Sequence, residues 1–474
     1  MTNSLKSKGK VSSFFEVLRQ SLKGEETDLT EIGIRRAIVL LAIPMMLEMI
    51  MESVFALVDL YFVGHLEHSS LAIQTVGLTE SVLTVVYSIA MGISMAATAV
   101  VARRVGEKKP EQAGKSGMQA ILIAVCINLV ISVLGMIFAR DILRLMGASQ
   151  DAAEHGQTFT RIMMGSTIFI VLLFLINGIF RGAGNAAIAM KSLWIANIAN
   201  IVLCPLLING LGPVPAMGLE GAAIATTIGR ALGVVYQLFH LFGSGNKLKV
   251  KLNQILPDFV LIRQIVKIAA PGVFQFVIAS CSWIFLAQLV ATTGGDHGSA
   301  GYQTALRLMM FFMLPAWGLS NAAATLVGQN LGARRIDRAE EAVMKTMGYN
   351  IAFMAVVMVL FLAFGHLFVR IFTEDIQVRT VAVRALKIMS LGFIIYGIGM
   401  VLISTFNGAG DTWTPTWVNV FAFWAFQIPF AYLLAKYFDM GPTGVFIAIP
   451  VAEAGICVAA YILFKRGRWK TVQV

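Results

Sequence analysis

Charge is scarce in this chain: 13% of its 474 residues are Asp, Glu, Lys or Arg, about half the roughly 25% of soluble domains. That shortage excludes an ordinary soluble enzyme and a disordered chain, both of which need charge to stay solvated. Cysteine is scarce too. Cys126, Cys204, Cys281 and Cys457 all lie inside apolar runs, with no CxxC and no Cys/His cluster. They read as small buried hydrophobes rather than a disulfide framework or a metal site. No Walker lysine motif, HExxH or GxSxG is present, which argues against ATP-driven transport by this chain alone and against a hydrolase of those types. The first 36 residues are polar and lack the short apolar stretch of a cleavable signal, so 1–36 is expected to be a cytosolic tail, with an interfacial helix near Phe14–Leu22.

What is abundant is apolar length. The chain is 57% hydrophobic with a mean hydropathy of +0.77. Runs such as IAFMAVVMVLFLAFGHLF (351–368) match the roughly 18–20 residues that cross a bilayer core. Twelve spans are predicted near 37–63, 72–101, 117–139, 159–180, 188–210, 219–241, 268–292, 298–327, 346–366, 388–405, 414–436 and 442–464. The net charge of +11 is topological. Of 37 Lys and Arg, 27 fall on the side of the two termini, 8 on the other, and Arg230 and Arg307 within spans. This bias predicts a multi-pass inner-membrane protein with both termini in the cytoplasm, its partner the lipid bilayer and not nucleic acid.

The sequence repeats itself. GISMAATAVVARRVGEKK (92–109) aligns on GLSNAAATLVGQNLGARR (318–335) at an offset of 226, and FRGAGN (180–185) falls on FNGAGD (406–411) at the same offset. GLEGAAIA (218–225) matches GPTGVFIA (441–448) at 223, and Pro44 pairs with Pro271 at 227. A unit of six helices returns the chain to its starting side, so the two copies are parallel. The expected fold is all-α, twelve transmembrane helices in two parallel six-helix lobes: 37–245 and 268–464, joined by a cytosolic linker at 246–267 and followed by a cytosolic tail at 465–474. Two similar lobes that rock about a shared cleft suit a transporter. Channels and membrane-embedded enzymes also arise by duplication.

Polar groups inside such spans point to function. The first span carries Glu48, Glu52 and Asp59, which at about 100° per residue lie near 0°, 40° and 20° on one narrow face. Facing lipid, each would cost about 2.5–3.5 kcal/mol, so the face looks into the bundle or a wet cavity. It can hold a cation or exchange protons, or its acids simply meet water or a basic partner. Asn197 and Asn200 lie one turn apart in the fifth span. Arg230 and Glu453 differ by 223, the local repeat offset; they either pair across the lobes, form separate salt bridges or line a cavity. Gln275 and Trp283, with Gln303, Arg307, Trp317 and Asn321, supply further cavity candidates. The 24 methionines suit a site that repacks around varied apolar cations, although most Met residues in such a chain are lipid or core contacts.

These segments together resemble the multidrug and toxic compound extrusion (MATE) transporters over nearly the whole chain: AIPMMLEMIMESVFALVDLYFVGHL, the VARRVGEKK and VGQNLGARR pair, RGAGN, NGAGDTWTP and GAAIATTIGR. The resemblance implies a V-shaped two-lobe fold and export of organic cations by a monomer, in exchange for H+ or Na+, with no other cofactor. The family's cation site falls on Asp59, Asn200 and Thr226, while its fifth-span Asp falls on Cys204. Asn185 stands where many relatives carry Asp, and the acids some members use in the seventh and tenth spans are missing here. These departures weaken a Na+ site and tilt the expectation toward protons at Asp59, with Glu48 and Glu52 as relay candidates. The rivals are a lipid-linked precursor flippase of related fold, which calls for cationic residues in the cavity, and a membrane-embedded enzyme, which calls for a nucleophile or metal constellation.

Overall fold

The computed structural model describes residues 15–24, 27–64, 69–210, 215–243 and 248–474, and it is helical almost throughout. Six spans form the N-terminal lobe: α1 Ile34–Gly64, α2 Ser69–Gly106, α3 Pro110–Ile137, α4 Gln150–Gly182, α5 Ala186–Asn209 and α6 Gly218–Leu241. The helical run Phe259–Gly332 follows, 74 residues long. Unbroken it would stretch about 110 Å, more than three times a hydrocarbon core of about 30 Å. It breaks at Gly295, whose φ of 60° and ψ of −158° are not helical, giving α7 (259–294) and α8 (296–332). Then come α9 Ile336–Phe372, a bent α10 made of Ile376–Ser390 and Phe393–Ala409 meeting at 57°, α11 Trp413–Tyr437 and α12 Pro442–Arg466.

Several helices outrun their predicted spans. The sequence reading ends the second span at 101, whereas α2 continues through Arg103 and Arg104 to Gly106. Hydropathy marks where the hydrocarbon ends; a helix once started continues into polar residues that still form its backbone bonds. A helical segment at 15–23 covers most of the interfacial helix expected near Phe14–Leu22; Phe14 itself lies outside the described residues.

The duplication is written into the backbone. Gly184 and Gly410 take φ of 89° and 87°, Lys108 and Arg334 take 59° and 58°, and Gly218 and Gly441 take 54° and 58°, each pair at its repeat offset. The left-handed region is open to glycine and costly for other residues, so the GAG turns after α4 and α10 need Gly184 and Gly410. Each lobe packs its own apolar core, around Ile176, Ile179 and Phe180 in the first and Phe361, Phe393 and Phe446 in the second.

The lobes meet at one end only, among the described residues. An added Cβ at Gly106 would stand 2.0 Å from the Gln329 carbonyl, and one at Gly332 would stand 2.2 Å from that of Arg103. Gly92 similarly faces Val273, and Gly318 faces the Met45 carbonyl. At 1.5 Å per residue all these contacts lie within about 21 Å of the end where α2 and α8 stop. Both chain ends strap this apex. Arg335 donates to the Thr30 carbonyl at 2.6 Å, Arg103 to that of Val472 at 2.7 Å, and Arg338 to those of Leu29 and Ile32. The connection between lobes is pinned by Lys115, which donates to Asp258 at 2.7 Å. With the backbone N–H groups of Leu261 and Val260, that hydrogen bond holds the Asp258 carboxyl below its usual range.

Candidate functional site

Glu48 and Glu52 of α1 turn into the N-terminal lobe. Glu48 is fully buried; it accepts from Asn177 Nδ2 at 3.0 Å and stands 3.4 Å from the Arg181 guanidinium. Asn177 Oδ1 in turn accepts from Ser192 and Gln237 at 2.9 and 2.6 Å, so α1, α4, α5 and α6 share one buried polar network. One turn on, Glu52 pairs with Arg230 at 2.9 Å and accepts from Asn197 at 3.2 Å. Arg230 lies over the Phe55 ring, 4.8 Å from its centroid. These placements choose among the alternatives the sequence left open. Arg230 forms a separate salt bridge within its own lobe, to Glu52, and does not pair with Glu453. Glu48 and Glu52 each meet a basic partner, and protonating either would leave a buried guanidinium without its counter-charge.

Asn200 and Thr226, from α5 and α6, are brought together, Asn200 Nδ2 donating to Thr226 Oγ1 at 2.9 Å. The Asn200 Oδ1 is buried with no hydrogen-bond partner, an unsatisfied acceptor that fits a proton donor or a small cation. Cys204, one turn away, is fully buried. Asp59 belongs to α1, but its side chain lies outside the described residues.

A second feature lies between the lobes at the apex. It is a cavity of about 390 Å³, walled by α1, α2 and α4 on one side and α7, α8, α10, α11 and α12 on the other. That size fits a drug-sized molecule. Six methionines line it (Met49, Met91, Met95, Met310, Met313 and Met400), together with the rings of Phe276, Trp283, Trp317, Tyr396 and Phe423. Two charges enter its wall: Arg181, already facing Glu48, and Glu453. Gln275 and Asn407 hold each other in its C-terminal-lobe wall, at 3.2 and 3.3 Å in the two directions. Gln275 and Asn407 are the repeat mates of Glu48 and Arg181, so a neutral amide pair occupies in one lobe the place an ion pair takes in the other.

Of the residues named from sequence, Gln275, Trp283, Trp317, Asn321 and Glu453 line the cavity, whereas Asn197 and Arg230 belong to the polar interior of the N-terminal lobe. Gln303 and Arg307 are exposed and stand outside the wall. They continue the heptad stripe 303, 307, 310, 314, 317, 321 past the cavity, away from the apex, because a shared helix face does not fix depth. Arg181 was missed, counted as a loop charge; its pairing with Asn407 in the aligned FRGAGN and FNGAGD segments was the available signal. Tyr396 was also missed, an ordinary aromatic in an apolar run. No group of three or more His, Cys, Asp or Glu that could hold a metal occurs among the described residues.

Twelve apolar spans in two matched lobes, joined at one end around a drug-sized cleft, define a multi-pass membrane transporter. The chain belongs to the MatE family, whose model matches it twice, over residues 44–206 and 271–433; the two matches begin at Pro44 and Pro271. It is 24% identical to the probable multidrug resistance protein YoeA of Bacillus subtilis (strain 168), covering 93% of this chain and 95% of that protein. It is 23% identical to the probable multidrug resistance protein NorM of Thermotoga maritima, covering 92% and 93%. An outward-facing structure of a multidrug resistance MATE family transporter of the MOP superfamily superposes with a TM-score of 0.87 at 25% identity, covering 94% and 99% of the two chains.

Proposed function

We propose that this chain is a secondary antiporter that exports organic cations from the cytoplasm across the inner membrane in exchange for H+ or Na+. The observation that carries this reading is the cavity itself: apolar, aromatic and methionine-rich, built from both lobes, with the one cationic side chain among its described residues already facing an acid. Such a wall suits varied apolar cations. It is poorly matched to the anionic lipid-linked precursors of a flippase, and the relatives' names as multidrug proteins support the choice. In this reading the apex with both termini is the cytoplasmic end, and the lobes are sealed there and splayed on the other face.

Coupling centres on Asp59, with Asn200 and Thr226 beside the ion path and Glu48 and Glu52 bracing the lobe through their arginines. Cys204 offers no hard oxygen where the family has a carboxylate, which favours protons over Na+. An ion acts by binding one access state more tightly than the other; equal binding would shift nothing. The test is gradient-driven efflux of a cationic dye from vesicles, run with H+ and with Na+ gradients, on wild type and Asp59→Asn. Efflux should require the gradient and fall at least tenfold in the variant. Full efflux by a well-folded Asp59→Asn protein refutes the assignment.

A further inference from the structure

Glu453 is the unexplained charge of the cavity among the described residues. It lies on α12, 6% exposed, in the cavity wall, and among the described residues its carboxylate has no hydrogen bond and no ion pair. Yet a carboxylate withdrawn from water normally needs a counter-charge. The repeat shows where that partner is missing. Its mate in the N-terminal lobe, at the offset of 223, is Arg230, and Arg230 is matched by Glu52 at 2.9 Å. The mate of Glu52, at the offset of 227 that relates Pro44 to Pro271, is Ala279. The two positions that hold a salt bridge in one lobe therefore hold an alanine and a lone glutamate in the other, and both Ala279 and Glu453 line the cavity. A methyl group there leaves room for a positive charge that the protein does not supply.

We infer that Glu453 is the counter-ion for a single monovalent organic cation bound in the cavity, the ligand taking the part that Arg230 plays toward Glu52, and that protons compete for the same carboxylate. Resting on the exporter reading, this names the site's charge class. The rings of Trp317, Tyr396 and Phe423 supply faces for a quaternary or aromatic cation, and the methionines adapt to its shape. The titratable and charged groups around Glu453 are the Tyr396 hydroxyl from α10, the Cys457 thiol from α12 itself and, elsewhere in the wall, Arg181 from α4. The cavity-lining residues of α7, α8 and α11 bring none. Tyrosine and cysteine change charge above neutral pH in ordinary surroundings; Glu48, which Arg181 faces, is the other acid beside the wall, and the Glu453→Gln variant separates its response from that of Glu453.

The experiment is equilibrium binding of tetraphenylphosphonium to the purified full-length protein in nanodiscs at pH 5.5, 7 and 8. Wild type should bind at least tenfold more weakly at pH 5.5 than at pH 8. Glu453→Gln should bind at least tenfold more weakly at pH 8 and lose the pH dependence, while Glu453→Asp keeps part of it. Ala279→Lys, which supplies an internal counter-ion, should abolish binding and carries the test if Glu453→Gln does not fold. Wild-type affinity and pH dependence in both Glu453→Gln and Ala279→Lys overturn the inference, as does a wild type that does not bind the probe. Binding that follows this pattern without gradient-driven efflux sinks the exporter reading alone; efflux with binding indifferent to Glu453 sinks only this assignment.

Discussion

At the scale of single residues, the protein treats its intramembrane charges in two ways. Glu48 and Glu52 are matched by Arg181 and Arg230, and Arg230 gains a ring face besides. Removing one partner of a buried pair costs more than removing both, because it strands a charge. Arg230→Met should therefore destabilise the protein by about 3–5 kcal/mol, and Glu52→Gln with Arg230→Met should recover most of that loss. Thermal melting of the purified proteins reads both, and a neutral single variant would show that the pair is well hydrated. The sequence placed Glu48 and Glu52 on one inward face and related Arg230 to Glu453 by the repeat. It could not say which charge meets which, since a repeat offset marks equivalent places and not contacts.

At the scale of elements, the seal between lobes depends on bare backbone. Gly106 on α2 and Gly332 on α8 each meet a carbonyl of the other helix, and a backbone oxygen cannot swing aside as a side chain can. Gly332→Ala should force the apex apart. In a cysteine-free background, a reporter cysteine replacing the buried Ala99 of α2 should then react several-fold faster with a water-soluble maleimide. Gly348→Ala on α9, where an added Cβ meets nothing within 4 Å, is the control and should leave labelling unchanged. Equal labelling in all three proteins would mean that the seal tolerates the methyl. The glycine motifs were visible in the sequence; that those of α2 and α8 face one another was not, because glycine in a helix also serves turns and packing within one lobe.

At the scale of the whole molecule, contact at one end fits the rocking of two lobes that the proposed antiport requires. The apex is held by reciprocal glycine approaches and by straps from both termini, and each lobe keeps its own core, so the motion with the least internal repacking is rigid-body rotation. Spin labels at the exposed positions of Lys109 and Asp337 should report a short distance between the α2–α3 turn and the start of α9 in the resting protein. A longer population should appear when the coupling ion or a cationic substrate is added, with the opposite trend for a pair at the other ends of the lobes. One unchanged distance under every condition would refute rocking as the transport motion.

The sequence by itself determined the membrane class, the twelve spans, the duplication and the inward face of Glu48 and Glu52, because bilayer thickness, helical period and repeat spacing are local or one-dimensional properties. Tertiary structure decided the rest. It placed the cavity at the apex, put Gln303 and Arg307 outside it, gave Arg230 to Glu52 and left Glu453 in the cavity wall without a hydrogen-bond or ion-pair partner among the described residues. Those outcomes depend on the tilt and depth at which helices far apart in the chain are clamped together, and no spacing along one helix carries that information.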